Sequence, residues 1–183
     1  MSSRSAALLL LILVGTGTAS ALNYISANIS NAHKNVAHHL DLTSPDIGRN
    51  PLFGFIRENS SCPKKHNLPP KFNKTLDIYT RIFSVILDDT AAPVILSSLS
   101  EKAKEVVKTS LRYLQRKMLG LKKNLKGHGS HRTDEPDELD SIQVDDVTNQ
   151  KKALAEYKEV YQAANVCYHH GYMRAADSAH SAK

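Results

Sequence analysis

One segment of the sequence, Phe72 to Asp88, would be apolar on nearly every side if it were helical. Its few polar residues recur at steps of three and four, at Asn73, Asp77, Arg81, Ser84 and Asp88. That period predicts a helix with a narrow exposed strip, and the segment is too long for a typical strand despite its β-branched content. A helix buried on most sides needs other elements around it, and with five or six predicted helices and no convincing strand the sequence predicts an all-α bundle.

Amphipathic helices are predicted on both sides of this buried helix. A first helix over 24–41 has an apolar stripe at helical spacing, made by Ile25, Ile29, Ala32, Val36 and Leu40. Prolines and glycines then predict a connecting loop, and the cluster Leu52 to Ile56 suits one or two helical turns.

The longest helix is expected from Ser97 or Ser98 to Leu125, with Ser98 and Glu101 forming a capping box and Gly127 ending it. Its predicted core stripe is Leu99, Ala103, Val106, Ser110, Leu114, Met118, Leu121 and Leu125.

The rest of the chain predicts a hinge, a short helix and a last long helix. Residues 127–136 lack periodicity, and a short helix is expected over 137–144. The last helix, ending near residue 170, has the stripe Val147, Gln150, Leu154, Tyr157, Tyr161, Ala164 and Tyr168. The predicted domains are therefore 1–21, 22–170, and a flexible tail over 171–183.

Residues 1–21 have the pattern of a cleavable secretory signal. Arg4 precedes an apolar block from Ala6 to Val14, and small residues lead to a cleavage site between Ala21 and Leu22. The block is too short for a membrane-spanning helix, which needs about 20 residues, so an uncleaved tether is the weaker alternative. We expect a secreted, extracellular product without membrane insertion after cleavage. Loss of Arg4 lowers the formal charge from +6 to +5.

Export bears on the two cysteines and on three glycosylation sequons. Cys62 and Cys167 are expected to pair within the chain, and closing a loop of that size is worth about 4.7 kcal/mol in the chain-entropy model. The alternative is two free or intermolecular thiols. Acceptor triplets begin at Asn28, Asn59 and Asn73, and we expect at least one to carry glycan.

The sequence shows no pattern typical of an enzyme, a cofactor site or a metal site. It has no phosphate loop, nucleophile elbow or metalloprotease helix, and the two cysteines are too far apart for a zinc knuckle. His33, His38 and His39 lack a carboxylate or thiol to complete a ligand set, so solvated histidines are favoured over a metal cluster. His169 and His170 are interpreted as cations near a helix C-terminus.

Basic residues are dense in the predicted long helix, at Lys102, Lys104, Lys108, Arg112, Arg116, Lys117, Lys122, Lys123 and Lys126. Such a face could attract extracellular polyanions such as heparan-like glycans, although a plain solvated face is favoured over that. Alternatively, the acidic stretch 134–146 of the same chain could pair with this basic face. The export signal argues against nucleic-acid binding.

The last helix resembles the signature helix of the interferon gamma family. In chain order, that signature requires Ile or Val, then Gln, then any residue, then Lys or Gln, and then Ala. After two positions open to any residue it requires Glu followed by Leu or Phe, and after two more open positions it requires Ile or Val. The positions that match are Gln150, Lys152, Ala153, Glu156 and Val160, whereas Asn149 and Tyr157 depart from it.

The resemblance extends over most of the mature chain. Residues 50–53 and 76–82 resemble the short second and buried third helices of fish interferon gamma. The family's dense basic tail is missing, because only Arg174 and Lys183 follow the last helix. The chain therefore resembles the interferon-gamma-related branch of bony fish.

The resemblance implies a class II helical cytokine with a six-helix bundle, which binds an interferon gamma type receptor and activates antiviral and macrophage responses through kinase and transcription-factor signalling. No catalysis is implied. By position alone, the receptor-facing residues are the loop after the first helix, namely Asp41, Asp46, Ile47, Gly48, Arg49 and Asn50, and the short helix Leu52 to Ile56. Family members are usually intertwined dimers, but a bond between Cys62 and Cys167 could instead favour a monomer.

Two other functions compete with this one. An interleukin-10-like or other interferon-like ligand would use a different receptor pair, and the signature helix argues against it. A secreted glycan-binding bundle would act through the basic face at 102–126.

Overall fold

The computed structural model describes residues 24–58, 70–126 and 138–180, with side chains over 24–56, 71–125 and 138–169. The predicted leader and its Ala21–Leu22 cleavage site, the sequon at Asn59, Cys62 and the predicted hinge lie outside these residues.

The described residues form helices and no strand, in agreement with the predicted all-α class. The α-helices are α1 (Ala27–Leu40), α2 (Pro45–Gly48), α3 (Phe55–Glu58), α4 (Pro70–Ile86), α5 (Glu101–Lys126) and α6 (Val147–His180). Short 3₁₀ helices span Val94–Leu96 and Glu138–Ser141.

Helix α4 is the buried helix that the sequence predicts. Seven of its apolar side chains are at most 3% exposed: Phe72, Leu76, Ile78, Tyr79, Ile82, Phe83 and Ile86. The polar strip is exposed from Asp77 onward, and Asn73 is half-buried. The hydroxyl of the buried Thr75 donates to the carbonyl of Lys71, so that polar group is satisfied within the helix.

Helix α1 confirms its predicted stripe, with Ile29, Ala32, Val36 and Leu40 buried and Ile25 half-buried. The Ser26 hydroxyl caps its first turn by accepting from the backbone N–H of Ile29 at 3.3 Å. It packs against α5 and α6, while α4 packs against α5 and α6 from another side. These helices enclose one hydrophobic core.

The start of α5 differs from the prediction. Ser97 and Ser98 lie in a turn after the 3₁₀ helix, and the cap is Ser100, whose hydroxyl accepts from the N–H of Ala103. The capping box of Ser98 and Glu101 is therefore wrong, because Glu101 is the first helical residue and pairs with Lys104 instead.

One position of the α5 core stripe is also wrong. Val106 is 38% exposed and Val107 is fully buried. Each of them lies three or four residues from both Ala103 and Ser110, so the helical period allows either valine in the core stripe. The packing of α5 against α1 and α4 decides between them.

Helix α6 continues to His180, where the sequence predicted a flexible tail from Gly171. The helical backbone there is consistent with Ala175, Ala176 and Ala179, the strongest helix-forming residue type, and one glycine costs a helix only about 1 kcal/mol. His169 and His170 are consequently inside the helix and not at its C-terminus. The flexibility of the tail stays a prediction.

The segments between the long helices contain more helix than predicted in one case and less in another. The predicted loop after α1 includes α2, a single turn that begins with Pro45, whose fixed φ suits a first helical position. The helical turns predicted over Leu52 to Ile56 begin later than expected, because residues 52–54 form a non-helical turn and α3 starts at Phe55. The short helix expected over 137–144 is only the 3₁₀ turn Glu138–Ser141.

Candidate functional site

The candidate site is the segment 41–54 between α1 and α3, here called the candidate loop. It begins at a sharp turn, because Asp41 has a left-handed backbone with φ 52° and its N–H donates to the carbonyl of Ala37. The N–H of Leu42 donates to the same carbonyl, and the Leu42 side chain is buried. The loop therefore leaves α1 in a fixed direction.

The residues predicted to face a receptor lie together on this loop. Asp46, Gly48, Arg49 and Asn50 are exposed, as is Asp41, while Ile47 is half-buried. Asp46 and Arg49 form an exposed ion pair at 3.5 Å within the turn of α2. This surface offers a carboxylate, a guanidinium and backbone amides to a partner and has no fully buried side chain between 43 and 51.

Two residues of α6 hold the far end of the loop. The Glu156 carboxylate accepts from the backbone N–H of Leu52 at 2.7 Å and from that of Phe53 at 2.9 Å, one through each oxygen. Lys152 donates from Nζ to the carbonyl of Asn50 at 3.1 Å. Glu156 is only 8% exposed, so these hydrogen bonds to a charged acceptor are largely shielded from water and correspondingly strong. We call this pair of residues the α6 clamp.

The other signature residues support α6 from behind. Gln150 is buried and donates from Nε2 to the carbonyl of Val144, which fixes the entry into α6. Ala153 is fully buried and its carbonyl accepts from the Tyr79 hydroxyl at 2.6 Å. Val160 is 1% exposed in the core. All five matching positions are thus buried or bonded to another segment, and none is a free surface group.

The two departures from the signature also have structural roles. The backbone N–H of Asn149 donates to the Asp146 carboxylate, which caps α6, and its amide donates to the carbonyl of Gln143. The Tyr157 ring is fully buried, and its hydroxyl donates to the carbonyl of Leu114 on α5 at 2.9 Å.

An aromatic cluster anchors the candidate loop from inside. The ring of Phe53 lies 5.3 Å from that of Tyr79, which in turn lies 6.0 Å from Tyr157 in an edge-on arrangement. Burial raises the pKa of both tyrosines well above the usual value, and the nearby Glu156 carboxylate raises that of Tyr79 further. Both hydroxyls therefore stay protonated as donors.

A groove of about 450 Å³ lies beside the loop. The side chains and backbone that line it come from three places, namely Pro51, Leu52, Gly54 and Phe55, then Lys71 at the start of α4, and then Glu138, Leu139, Ser141 and Ile142 around the second 3₁₀ turn. The Lys71 ammonium lies 5.8 Å from the centre of the Phe55 ring, so a cation and an apolar surface line the same groove.

His33 is a residue whose role the sequence analysis missed. It is 7% exposed, and its Nε2 lies 2.9 Å from the carbonyl of Leu154 on α6, so the interpretation of His33 as a solvated histidine is wrong. Burial lowers the pKa of His33, and the positive charge of Lys158 lowers it further, whereas the hydrogen bond with the Leu154 carbonyl raises it. Its position in the apolar stripe between Ala32 and Val36 could have indicated this.

The remaining histidines differ among themselves. His38 is exposed and His39 is half-buried at the end of α1. His169 stacks on Tyr24 with ring centres 4.6 Å apart, so it ties the segment before α1 to α6. Within the ranges that the structure describes, no group of three or more His, Cys, Asp or Glu side chains could hold a metal ion.

The modification sites are partly described. Asn28 is exposed on α1, and Asn73 is half-buried in the first turn of α4. Cys167 is half-buried on α6 and disulfide-bonded, and the chain has one other cysteine, Cys62, whose pairing stays a prediction.

Comparison with known proteins adds no family. Neither the protein-family models, nor the curated proteins, nor the solved structures gave a match to this chain. Within the described part of the chain, no helix is both long and apolar enough to cross a membrane.

Proposed function

We propose that this chain is a secreted cytokine of the interferon gamma type, with the predicted leader removed between Ala21 and Leu22. It acts as a ligand for a class II cytokine receptor and not as an enzyme. In this proposal the bundle has the family's six-helix architecture, and receptor engagement leads to antiviral and macrophage responses.

The observation that carries the proposal is the α6 clamp. The residues that resemble the family signature are the same residues that hold the candidate loop, because Lys152 bonds Asn50 and Glu156 bonds the next two amides of the chain. A signature that holds a surface loop in one conformation suits a binding protein, since pre-ordering a loop reduces the entropy lost on association. The exposed residues 46–50 would then contact the receptor.

The first experiment asks whether the protein signals at all. The secreted protein is added to leukocytes, and phosphorylation of the receptor-associated transcription factor is measured with and without receptor knockdown. We expect phosphorylation that knockdown abolishes. If leukocytes that carry the receptor do not respond, the cytokine proposal fails.

A second experiment places the contact on the candidate loop. The double variant Asp46→Ala, Arg49→Ala removes an exposed ion pair of α2, and Glu101→Ala, Lys104→Ala removes a similarly spaced pair of α5. Surface ion pairs contribute about 0–1 kcal/mol, so both variants should fold. We expect at least about a tenfold loss of signalling potency for the first, since buried charged contacts at interfaces cost about 2 kcal/mol or more. Equal potency of the two variants would move the receptor site elsewhere.

A further inference from the structure

The cations of α5 whose side chains the structure describes fall into two groups. Four of them pair with three nearby carboxylates, which leaves one positive charge in excess: Lys104 pairs with Glu101, Lys108 and Arg112 share Asp89, and Lys122 pairs with Asp77. The exposed Lys102, Arg116, Lys117 and Lys123 have no acidic partner among the described residues. The chain also has no Asp or Glu between Val106 and Arg132, so the second half of α5 has no acidic residue of its own.

Three of these four unpaired cations are arranged in a line. Lys102, Arg116 and Lys123 are separated by multiples of seven residues, with the exposed Thr109 at the remaining sevenfold position. Seven residues are nearly two helical turns, so these side chains project from the same side of the helix with a drift of about 20° per step. From 102 to 123 the line is about 32 Å long at 1.5 Å per residue.

The described acidic residues of 138–146 are used elsewhere or lie off this helix. Asp140 pairs with Lys74 of α4, and Asp146 caps α6. On α5 itself, the exposed Glu105 accepts a hydrogen bond of 3.4 Å from the Thr109 hydroxyl. The positive surface is therefore strongest from Arg116 to Lys123.

We propose that Lys102, Arg116 and Lys123 of this line, together with Lys117 beside it, bind a linear sulfated polysaccharide; these four residues are here called the cationic line. A chain polymer with regularly repeated sulfates can follow a straight row of cations, and a guanidinium can bind two oxygens of one sulfate at once. Gly120 lies between Arg116 and Lys123 with open space around it, so the polymer can approach the helix closely there.

A membrane surface is the less suitable partner. Amphipathic helices that bind membranes insert their apolar face, but the apolar face of α5 is buried in the core through Val107, Leu111, Leu114 and Met118. The exposed apolar residues of α5 are the isolated Val106 and Leu119, each about 40% exposed. The cationic line is a different surface from the candidate loop, so this inference goes beyond the proposed receptor function.

The test uses heparin as the probe and two variants of equal charge. Arg116→Gln, Lys117→Gln, Lys123→Gln removes three charges from the cationic line, and Lys34→Gln, Arg81→Gln, Lys151→Gln removes three accessible charges from α1, α4 and α6. Binding is measured by calorimetry over a series of salt concentrations, and folding is checked by circular dichroism. We expect about a tenfold loss of heparin affinity and a weaker salt dependence for the first variant, and less than about a twofold loss for the second.

Three results would overturn the proposal. Equal losses in the two variants would mean that heparin responds only to net charge. No binding by the natural sequence at physiological ionic strength would exclude the site. Equally tight binding of phosphatidylserine vesicles through the same three residues would make the partner a membrane surface. The first variant should still signal through the receptor, so failure of this proposal is distinguishable from failure of the proposed function.

Discussion

The buried imidazole of His33 makes the stability of the protein depend on pH. Its pKa in the folded chain lies below the ordinary value of 6.5 because burial disfavours the charged ring. At a pH between the lowered pKa of the folded chain and the ordinary pKa of the unfolded chain, the unfolded chain binds more protons than the folded chain. Stability is therefore fully present above pH 6.5 and falls as the pH drops below it. We expect the melting temperature to decrease from pH 7 to pH 5.

The contribution of His33 can be separated from that of other groups. His33→Gln should reduce the pH dependence of the melting temperature, while His38→Gln, at an exposed position of the same helix, should leave it unchanged. An equal pH dependence in the natural sequence and in His33→Gln would mean that other groups are responsible.

Val106 and Val107 are neighbours with the same side chain and opposite environments. Val107→Ala should lower the free energy of unfolding by about 1.5–3 kcal/mol, because it removes two buried methyl groups and leaves a cavity. Val106→Ala should change it by less than about 0.5 kcal/mol. Urea denaturation of both variants checks this, and similar midpoints would contradict the orientation of α5.

Gly120 is exposed within α5, and a methyl group added there would meet no atom within 4 Å. Gly120→Ala should therefore stabilise the protein by about 0.5–1 kcal/mol, since alanine loses less backbone entropy in a helix. In a chain of this size the expected rise in melting temperature is about 2–4 °C. A lower melting temperature would mean that the position requires glycine for another reason.

At the scale of elements, α6 fixes the conformation of a loop that is distant in the sequence. The Glu156 carboxylate is the only side-chain acceptor that the described residues provide for the amides of Leu52 and Phe53. Glu156→Gln keeps the size of the side chain but removes the charge and places a donor near one of the two amides. We expect a loss of about 1–3 kcal/mol and faster hydrogen exchange at both amides.

A matched variant controls for the loss of a carboxylate. Glu105→Gln changes an exposed carboxylate of α5 and should leave the exchange of Leu52 and Phe53 unaltered. Unchanged exchange in Glu156→Gln would show that the aromatic packing of Phe53 is sufficient to hold the candidate loop.

Element boundaries show where sequence patterns are insufficient. The existence of the long helices α1, α4, α5 and α6 follows from their apolar period, which local spacing alone determines. Their ends depend on weaker effects of about 1 kcal/mol each, such as which serine caps α5 or whether alanines offset Gly171 in α6.

At the scale of the whole molecule, the oligomeric state depends on where α6 packs. Its core-facing residues Ala153, Leu154, Tyr157, Val160 and Ala164 are at most 1% exposed against helices of the same chain. Exchange of this helix between two copies is therefore not needed to bury its apolar stripe, although the proteins that the sequence resembles are usually intertwined dimers.

We expect a monomer by light scattering when the disulfide at Cys167 is intact. The measurement is repeated with reductant, because the bond restrains α6 on its own bundle in the predicted pairing with Cys62. A dimer that dominates both with and without reductant would contradict the monomer and favour the intertwined form.

The sequence is sufficient to predict the helical class, the burial of α4 and most of the apolar stripes, because each follows from the spacing of side chains along one helix. It also contains the signature residues, but it does not indicate what they contact. The packed bundle was needed to show that Glu156 and Lys152 hold residues 50–53, that His33 faces Leu154 and that Val107 replaces Val106 in the core. The physical reason is that these contacts join segments more than 100 residues apart, or depend on how two helices are rotated against each other, and no local period encodes either.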